Sequence, residues 1–597
     1  MFLPKDEPFD DHFFRCMLLP RTVFVKHWCN GVFNSIPVQY KHQSVRFDKK
    51  VETGIFLVAF WQCFRYNAIR WILVYRHTKD TCVSHRKEGL TSCFQGIFRA
   101  VAMRSYDYIN GGLNMSSTAK LSARERIETL LDNNSFVEIG ALVTKRSTDF
   151  NMQQADAPGD GVITGYGVID DRLVYVYSQD AAVLGGTLGE MHAKKIANLY
   201  RLAMKSGAPV VGLVDCAGMR LQEASDALTG FGRLYKAQTM ASGVVPQITA
   251  VFGNCGGGLA VLAAMSDFTV MEKKDAKLFV NAPNAIAGNN EGKCDTASAD
   301  YMAESGMVDA VGESEEDVLA KVRELIMVLP SNNEDDAQDE CTDDLNRAMN
   351  DFKTESADPA LALRDLSDNG AFTEIKAAYA PEMVIGFVRL NGATVGVVAN
   401  RTAKFGEDGK KAASFDATLT TKGCYKAESF VKFCDAFGIP VVTFTNVTGY
   451  ANGAGETKGI AIAAGKLAYA FANATVPKVN VIVGKAYGSA YITMNSKSLG
   501  ADLEFAVEGS EIGTMDAELA AQIVYADEIA AESDKGAALK AKAAEYKKTY
   551  NSCENAAKRG YVDAIINADD MRVQVVYALE MLCTKKEFRP AKKHGTV

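Results

Sequence analysis

A stretch of about fifty residues recurs once in this chain, and the repeat constrains the fold more than any other feature. Eight identities keep one offset of 231 residues without a gap. Chance rarely produces such a match, so two copies of one structural unit are predicted. The matching pairs are Pro209 and Pro440, Val210 and Val441, Val211 and Val442, Gly218 and Gly449, Val245 and Val476, Pro246 and Pro477, Gly253 and Gly484, and Gly257 and Gly488.

Each copy alternates short apolar runs with segments of helical spacing, which predicts an α/β fold with a mostly parallel sheet. In the first copy we expect strands 161–168 and 173–178 joined by a turn at Asp170-Asp171, helix 188–206, strand 210–214, helix 224–241, strand 247–252 and turn 253–258. In the second we expect strands 383–390 and 393–398, helix 426–437, strands 441–444 and 478–483 and turn 484–489. Ser122 and Glu125 have the spacing of a capping box, which predicts a helix start.

The first 114 residues differ from the rest in composition. They contain all three tryptophans and carry 16 Lys and Arg against 9 Asp and Glu, whereas the whole chain has a net charge of −8. We expect this segment to be a poorly structured extension outside the functional fold, with Met115 as the natural start; a small appended module is the alternative. The domains predicted are therefore 1–114, 115–329 and 359–597, with an acidic linker at 330–358.

The sequence provides little support for a metal site or for a nucleophilic cysteine. The cysteines of residues 115–597 form no C-x-x-C pair, and this part of the chain has only two histidines, His192 and His594. No metal site is predicted. Cys255 is interpreted as a small residue in a tight turn rather than a nucleophile. The acidic main body predicts no nucleic-acid binding, and no apolar run is long enough to predict insertion into a membrane.

The repeated glycines mark a place where chemistry is expected. Each set follows a strand and opens a helix, so backbone N–H groups point outward at the positive end of the helix dipole. Neither Gly253–Gly258 nor Gly484–Ser489 matches a phosphate-binding pattern. Two N–H donors holding a developing oxyanion fit better, although tight turns kept only for packing are the alternative. Two such holes suit a reaction between two carbonyl partners, such as carboxyl transfer.

Several short motifs resemble those of biotin-dependent acyl-CoA carboxyltransferases. This family includes the β subunits of acetyl- and propionyl-CoA carboxylases and the α subunits of methylmalonyl-CoA decarboxylases. The resemblance extends from about Lys120 to the C-terminus. The motifs are Gly185–His192, Thr229–Gly232, Ala241–Gln247, Gly253–Gly258, Ala264–Phe268, Phe433–Pro440, Ala474–Lys478 and Lys485–Tyr491.

The resemblance implies two tandem ClpP/crotonase-like domains and an active site shared between subunits of a homo-oligomer. It also implies one oxyanion hole at Gly257 and Gly258 and another at Ser489 and Ala490. The implied cofactor-binding residues are Gly256, Tyr487 and Gly488, and the implied acyl pocket residues are Tyr491 and Ile492.

The same resemblance implies a coenzyme A thioester as substrate and biotin on a separate biotin carboxyl carrier protein. The further partner is a biotin carboxylase subunit or membrane decarboxylase subunits, and the expected location is the cytoplasm. Ala203-Met-Lys-Ser206 looks like a biotin attachment site, but it ends a predicted helix, so biotinylation of Lys205 is not expected.

Two segments depart from the family pattern. Residues 285–312 and Lys458–Gly465 lack the usual glycine and histidine motifs, and Ser489 replaces a usual glycine. These departures leave two alternatives open beside carboxyl transfer: a biotin-independent crotonase-type hydratase or decarboxylase, and a non-catalytic scaffold subunit. The acyl group and the direction of the reaction do not follow from the sequence.

Overall fold

The structure, a computed structural model, describes residues 120–147, 149–349, 352–406 and 408–597. The predicted extension 1–114 lies outside these residues. The described chain forms two α/β halves of the same design, and each half is built on an eight-stranded mixed sheet. The α/β class and the doubling predicted from the repeat are confirmed.

The first half places an antiparallel β1-β2-β3 meander beside a parallel layer, in the order β1-β2-β3-β4-β5-β6-β8 with β7 paired to β5. Its strands are β1 Val137–Glu138, β2 Val162–Ile169, β3 Arg172–Gln179, β4 Val210–Cys216, β5 Gln247–Gly256, β6 Phe268–Glu272, β7 Lys277–Phe279 and β8 Ala310–Gly312. Its helices are α1 Ala123–Leu130, α2 Glu190–Ser206, α3 Ala224–Ala241, α4 Gly258–Ala264, α5 Ala299–Glu304 and α6 Glu315–Val328.

The second half repeats this order as β9-β10-β11-β15-β17-β18-β20, with β19 paired to β17. Its strands are β9 Phe372–Ile375, β10 Met383–Leu390, β11 Ala393–Asn400, β12 Ala403–Phe405, β13 Lys411–Ser414, β14 Thr418–Leu419, β15 Val441–Val447, β16 Gly449–Tyr450, β17 Lys478–Tyr487, β18 Leu503–Val507, β19 Glu511–Gly513 and β20 Ala564–Ile566. Its helices are α7 Phe352–Glu355, α8 Pro359–Leu366, α9 Thr421–Ala436, α10 Ile460–Asn473, α11 Gly488–Thr493, α12 Ala517–Val524, α13 Ala526–Ala531, α14 Lys535–Tyr546, α15 Cys553–Lys558 and α16 Met571–Leu582.

The two halves pack against each other through aromatic side chains. The ring of Phe268 on β6 lies 4.9 Å from that of Phe433 on α9, edge to face. An ion pair also joins the halves, between Lys376 Nζ, which is partly exposed, and the buried Asp309 Oδ1 at 3.1 Å. The apolar core is therefore continuous across the junction.

The linker and the C-terminal tail both contact the second half. Met349 and Phe352 are buried in the core of the second half, because the acidic stretch around them still supplies two large apolar side chains. The basic tail lies along α10, where Lys592 Nζ donates to Tyr469 Oη at 2.6 Å. Arg589 Nη2 also donates to the Ala474 carbonyl at 2.9 Å.

Candidate active site

The first glycine turn connects β5 to α4. Gly257 has φ 62° and ψ −119°, a conformation that L side chains rarely adopt, so glycine is required here. Its N–H donates to the Phe279 carbonyl at 2.8 Å and is therefore already paired. Gly258 and Leu259 follow in the first turn of α4, where N–H groups have no acceptor within the helix.

The second turn connects β17 to α11 and also bends at a glycine of positive φ. Gly488 has φ 60°, like Gly257, to which it is equivalent in the repeat. Ser489 and Ala490 come next and occupy the positions of Gly258 and Leu259. Ser489 and Ile492 are exposed, whereas Ala490 is buried.

A polar side chain at the end of the preceding strand supports each turn. In the second half, Asn446 Oδ1 accepts from the Lys485 N–H at 3.0 Å. A Cβ at Gly484 would lie 2.6 Å from that oxygen. Asp215 holds the same place in the first half, where a Cβ at Gly253 would lie 1.9 Å from Asp215 Oδ1. Sequence reasoning missed this pair, although Asp215 and Asn446 keep the offset of 231 residues.

Groups behind each turn fix the helix that carries it. Tyr235 Oη on α3 donates to the Gly258 carbonyl at 3.0 Å. Behind the second turn, Tyr491 is buried and its Oη donates to Glu504 Oε1 at 2.6 Å. The phenol of Tyr487 is buried as well and donates to Glu511. Tyr487 and Tyr491, predicted from the resemblance as site residues, thus lie behind the turn, whereas Ile492 lies on its exposed side.

A buried ionic cluster holds the segment before α2. Arg220 Nη1 pairs with Asp160 and, at 2.8 Å, with Glu223 Oε1. Arg220 Nη2 donates to the Thr187 carbonyl at 2.7 Å. All three charged side chains are buried, so each charge depends on its partners. Sequence reasoning missed this cluster. It gives the motif Gly185–His192 a structural role, because the Thr187 carbonyl within that motif binds Arg220.

Three residues singled out in the sequence have defined surroundings. Cys255 is fully buried, and burial raises the pKa of its thiol, so it does not provide a thiolate near neutral pH. Lys205 is exposed in the last turn of α2, as expected for a helix end. Asp309 and Lys458 belong to the segments that depart from the family: Asp309 joins the two halves, and Lys458 is exposed just before α10.

The contacts of each turn come from its own half. Gly258 contacts Phe231 and Tyr235 of α3, and α11 packs on α10 and β16. The site residues thus form two separate groups, Gly256–Gly258 and Tyr487–Ile492. Each group consists of the end of a strand, a bend at a glycine and the start of a helix.

The described residues contain neither a metal-binding group nor a helix that could span a membrane. Among residues 120–597, apart from the positions not described, no three His, Cys, Asp or Glu side chains are placed to hold a metal ion. No described helix is long and apolar enough to cross a membrane.

The sequence is similar to known carboxyltransferases over nearly all of the region described. It is 39% identical over 491 residues to the methylmalonyl-CoA decarboxylase subunit alpha of Veillonella parvula, covering 80% of this chain and 93% of the relative. It is 41% identical over 504 residues to the propionyl-CoA carboxylase beta chain of Saccharopolyspora erythraea, covering 80% and 90%.

The fold is also similar to a solved structure of the transcarboxylase 12S hexamer with methylmalonyl-coenzyme A bound. The TM-score is 0.74 at 34% sequence identity, and the match covers 87% of this chain and 99% of that one. The carboxyl transferase domain family matches residues 115–597. With its doubled sheets and repeated turns, this chain belongs to the carboxyl transferase domain family.

Proposed function

We propose that this protein is the carboxyltransferase subunit of a biotin-dependent acyl-CoA carboxylase or decarboxylase. It would move a carboxyl group between biotin and a short-chain acyl-CoA of the acetyl or propionyl/methylmalonyl class. One observation carries the proposal: the bend and helix start at Gly257 recur at Gly488 with nearly the same φ. Relatives named for this chemistry support it.

Each turn would hold one carbonyl oxygen while negative charge develops on it. Biotin, when bound, carries the carboxyl group. A pair of N–H donors can hold the carbonyl oxygen of biotin as well as that of a thioester. In the second turn the donors are the N–H groups of Ser489 and Ala490, beside Tyr487 and Gly488. Preorganised donors of this kind are worth about 3–4 kcal/mol each in other enzymes.

In the first turn Gly257 shapes the bend, since its N–H is paired with Phe279. The repeat aligns Gly258 and Leu259 with Ser489 and Ala490. We therefore assign the first hole to Gly258, with the N–H of Leu259 at the position equivalent to Ala490. Gly256, predicted as a cofactor-binding residue, precedes the bend, and a Cβ there would lie 2.8 Å from the ring of Phe279, so its glycine makes room for that ring.

Ile492 is proposed to line the acyl pocket, because it is exposed on the same helix as the second pair of donors. An apolar side chain there favours an apolar acyl chain over a charged one. Tyr491, the preceding residue, is buried and supports the pocket from behind.

The site is proposed to be completed by a second subunit. Apolar side chains are exposed on the elements that pack against each turn: Leu221 and Leu228 in the first half, and Ile462 in the second. A homo-oligomer would cover them and bring the first turn of one subunit to the second turn of another. The proposed partners are a biotin carboxyl carrier protein and either a biotin carboxylase or membrane decarboxylase subunits, and the proposed location is the cytoplasm.

Replacing Ser489 with proline tests the donor assignment. Proline is tolerated in the first turn of a helix, where Ser489 lies, and removes one N–H. We expect Ser489→Pro to slow biotin-dependent carboxyl transfer about 100- to 1,000-fold. Ser489→Ala is the matched control, since it keeps the N–H and removes only the hydroxyl. A folded proline variant that transfers as fast as the alanine variant would reject the assignment.

A further inference from the structure

We infer that Glu504 is a positioning residue for the second turn, which holds α11 in place through Tyr491 only while its carboxyl group is ionised. The inference rests on the proposed function, because it concerns the helix that carries the Ser489 and Ala490 donors.

The carboxylate of Glu504 connects two points of the active-site segment. Its Oε1 accepts from Tyr491 Oη at 2.6 Å, one residue after Ala490. Its Oε2 accepts from the backbone N–H of Lys497, just beyond the end of α11. The side chain is fully buried in β18, so it makes these contacts without competition from water. One carboxylate thus fixes two points of the segment that carries α11.

A polar network fixes which groups face this carboxylate. Asn480 Nδ2 donates to Glu504 Oε1 at 3.3 Å. Asn480 Oδ1 accepts from the hydroxyls of Thr443 and Thr445, both at 2.7 Å, which sets the orientation of the amide. Glu504 therefore faces three donors, from Tyr491, Asn480 and Lys497. A protonated carboxyl group would place an O–H donor among these donors and weaken its capacity to accept from them, at a cost to the buried network.

Burial, more than the charged groups nearby, places the pKa of Glu504 near neutral pH. Burial raises its pKa to about 7, while the bonds from Tyr491, Lys497 and Asn480 oppose that rise. Asp563 raises the pKa further, and its Oδ2 accepts the N–H of Glu504 itself. The ammonium of Lys497 pairs with Asp563. The carboxylate is thus held by neutral donors, and it loses them as the pH falls below about 7.

The first half has no acid at the equivalent position. Thr269 on β6 pairs in register with Thr249, as Glu504 on β18 pairs with Asn480. The residue equivalent to Tyr491 is Ala260. Thr269 Oγ1 donates to the Ala263 carbonyl at 3.2 Å, a neutral contact to α4. A pH dependence that rests on Glu504 is therefore expected of the second turn, and Thr269 provides a matched control position.

The experiment measures biotin-dependent loss of the carboxyl group of methylmalonyl-CoA from about pH 6 to about pH 9. For the full chain we expect the rate to rise through an inflection near the pKa of Glu504. Glu504→Gln should abolish this inflection. Tyr491→Phe should shift it to higher pH, since a bond that favours the ionised form is lost. Thr269→Val should leave its midpoint unchanged.

A second measurement does not depend on activity. Hydrogen exchange of the peptides covering 487–497, corrected for the intrinsic effect of pH, should show protection that falls below about pH 7 in the full chain. Glu504→Gln should show no such change. An inflection and a loss of protection that both persist in Glu504→Gln would overturn the inference. A chain without biotin-dependent activity that still shows the Glu504-dependent protection would reject the proposed function and keep the role of Glu504.

Discussion

His192 is fully buried on α2 and uses both of its ring nitrogens. Nδ1 lies 2.9 Å from the Asp160 carbonyl, so it carries the proton and donates. Nε2 then accepts from Gln179 Nε2 at 3.1 Å. Burial, with Arg220 and Lys195 nearby, lowers the pKa of His192 to about 3. A histidine that stays neutral and has no free nitrogen is structural, not a catalytic base.

This pKa makes the stability of the fold depend on pH. The unfolded histidine takes up a proton below about pH 6.5, whereas the folded one does not, so its contribution is complete above that pH and is lost as the pH falls. We expect this part of the unfolding free energy to fall by up to about 1.4 kcal/mol per pH unit. His192→Asn, which can keep the bond to Asp160, should lack this component. Urea unfolding of both proteins between about pH 7 and pH 5 measures it. A difference that stays constant over this range would contradict the assignment.

At the scale of an element, each turn depends on the absence of a side chain. Gly484 lies so close to Asn446 that a methyl group would displace the oxygen that supports Lys485. Gly465, by contrast, is exposed in the middle of α10 with nothing near its Cβ position. Replacing each of these glycines with alanine is therefore expected to change the unfolding free energy in opposite directions.

We expect Gly484→Ala to lower the unfolding free energy by about 1–3 kcal/mol, because the added methyl group overpacks the turn. The same variant should slow carboxyl transfer, since the support of the second turn moves. Gly465→Ala should raise the unfolding free energy by about 0.5–1 kcal/mol, because alanine favours a helix interior. Chemical denaturation of the two variants measures both changes. Equal effects would show that local contacts at Gly484 do not govern the turn.

Local signals predicted some elements closely. The Ser122 capping box is present, and Asp170 and Asp171 both have positive φ in the predicted hairpin turn. Other bounds depended on distant contacts. β5 continues to Gly256 because its last residues pair with β7, and β17 continues to Tyr487 because it pairs with β19. Pairing partners far along the chain leave no local pattern, so both strands were predicted too short.

The candidate site shows the same limit. The repeated glycines identified both turns, because a bend of this kind needs glycine at a fixed place. Glu504 was not predicted, since an acid in an apolar strand suggests an exposed position until Tyr491 and Lys497 are seen to converge on it. α9 begins at Thr421 rather than at Lys426, because Thr420 caps it by accepting from the Gly423 N–H.

For the whole molecule, doubling of one unit explains the separation of the two turns. The halves share a core through Phe268 and Phe433, yet each turn is supported within its own half. Neutral donors, Tyr235 and Thr269, contact α4 in the first half, whereas Glu504 contacts the segment of α11 in the second. Two carbonyl groups of different chemistry can therefore be held by two turns of one design.

The most direct test of the account uses the protein from Met115 onward, free biotin and a panel of malonyl-, methylmalonyl- and glutaconyl-CoA. Loss of the carboxyl group from the CoA thioester is followed with and without biotin. The account predicts loss that requires biotin, with the rate across the panel identifying the acyl chain. Loss at the same rate with and without biotin would contradict carboxyl transfer and indicate a crotonase-type decarboxylase. No loss with a biotinylated carrier supplied would contradict catalysis and indicate a scaffold subunit.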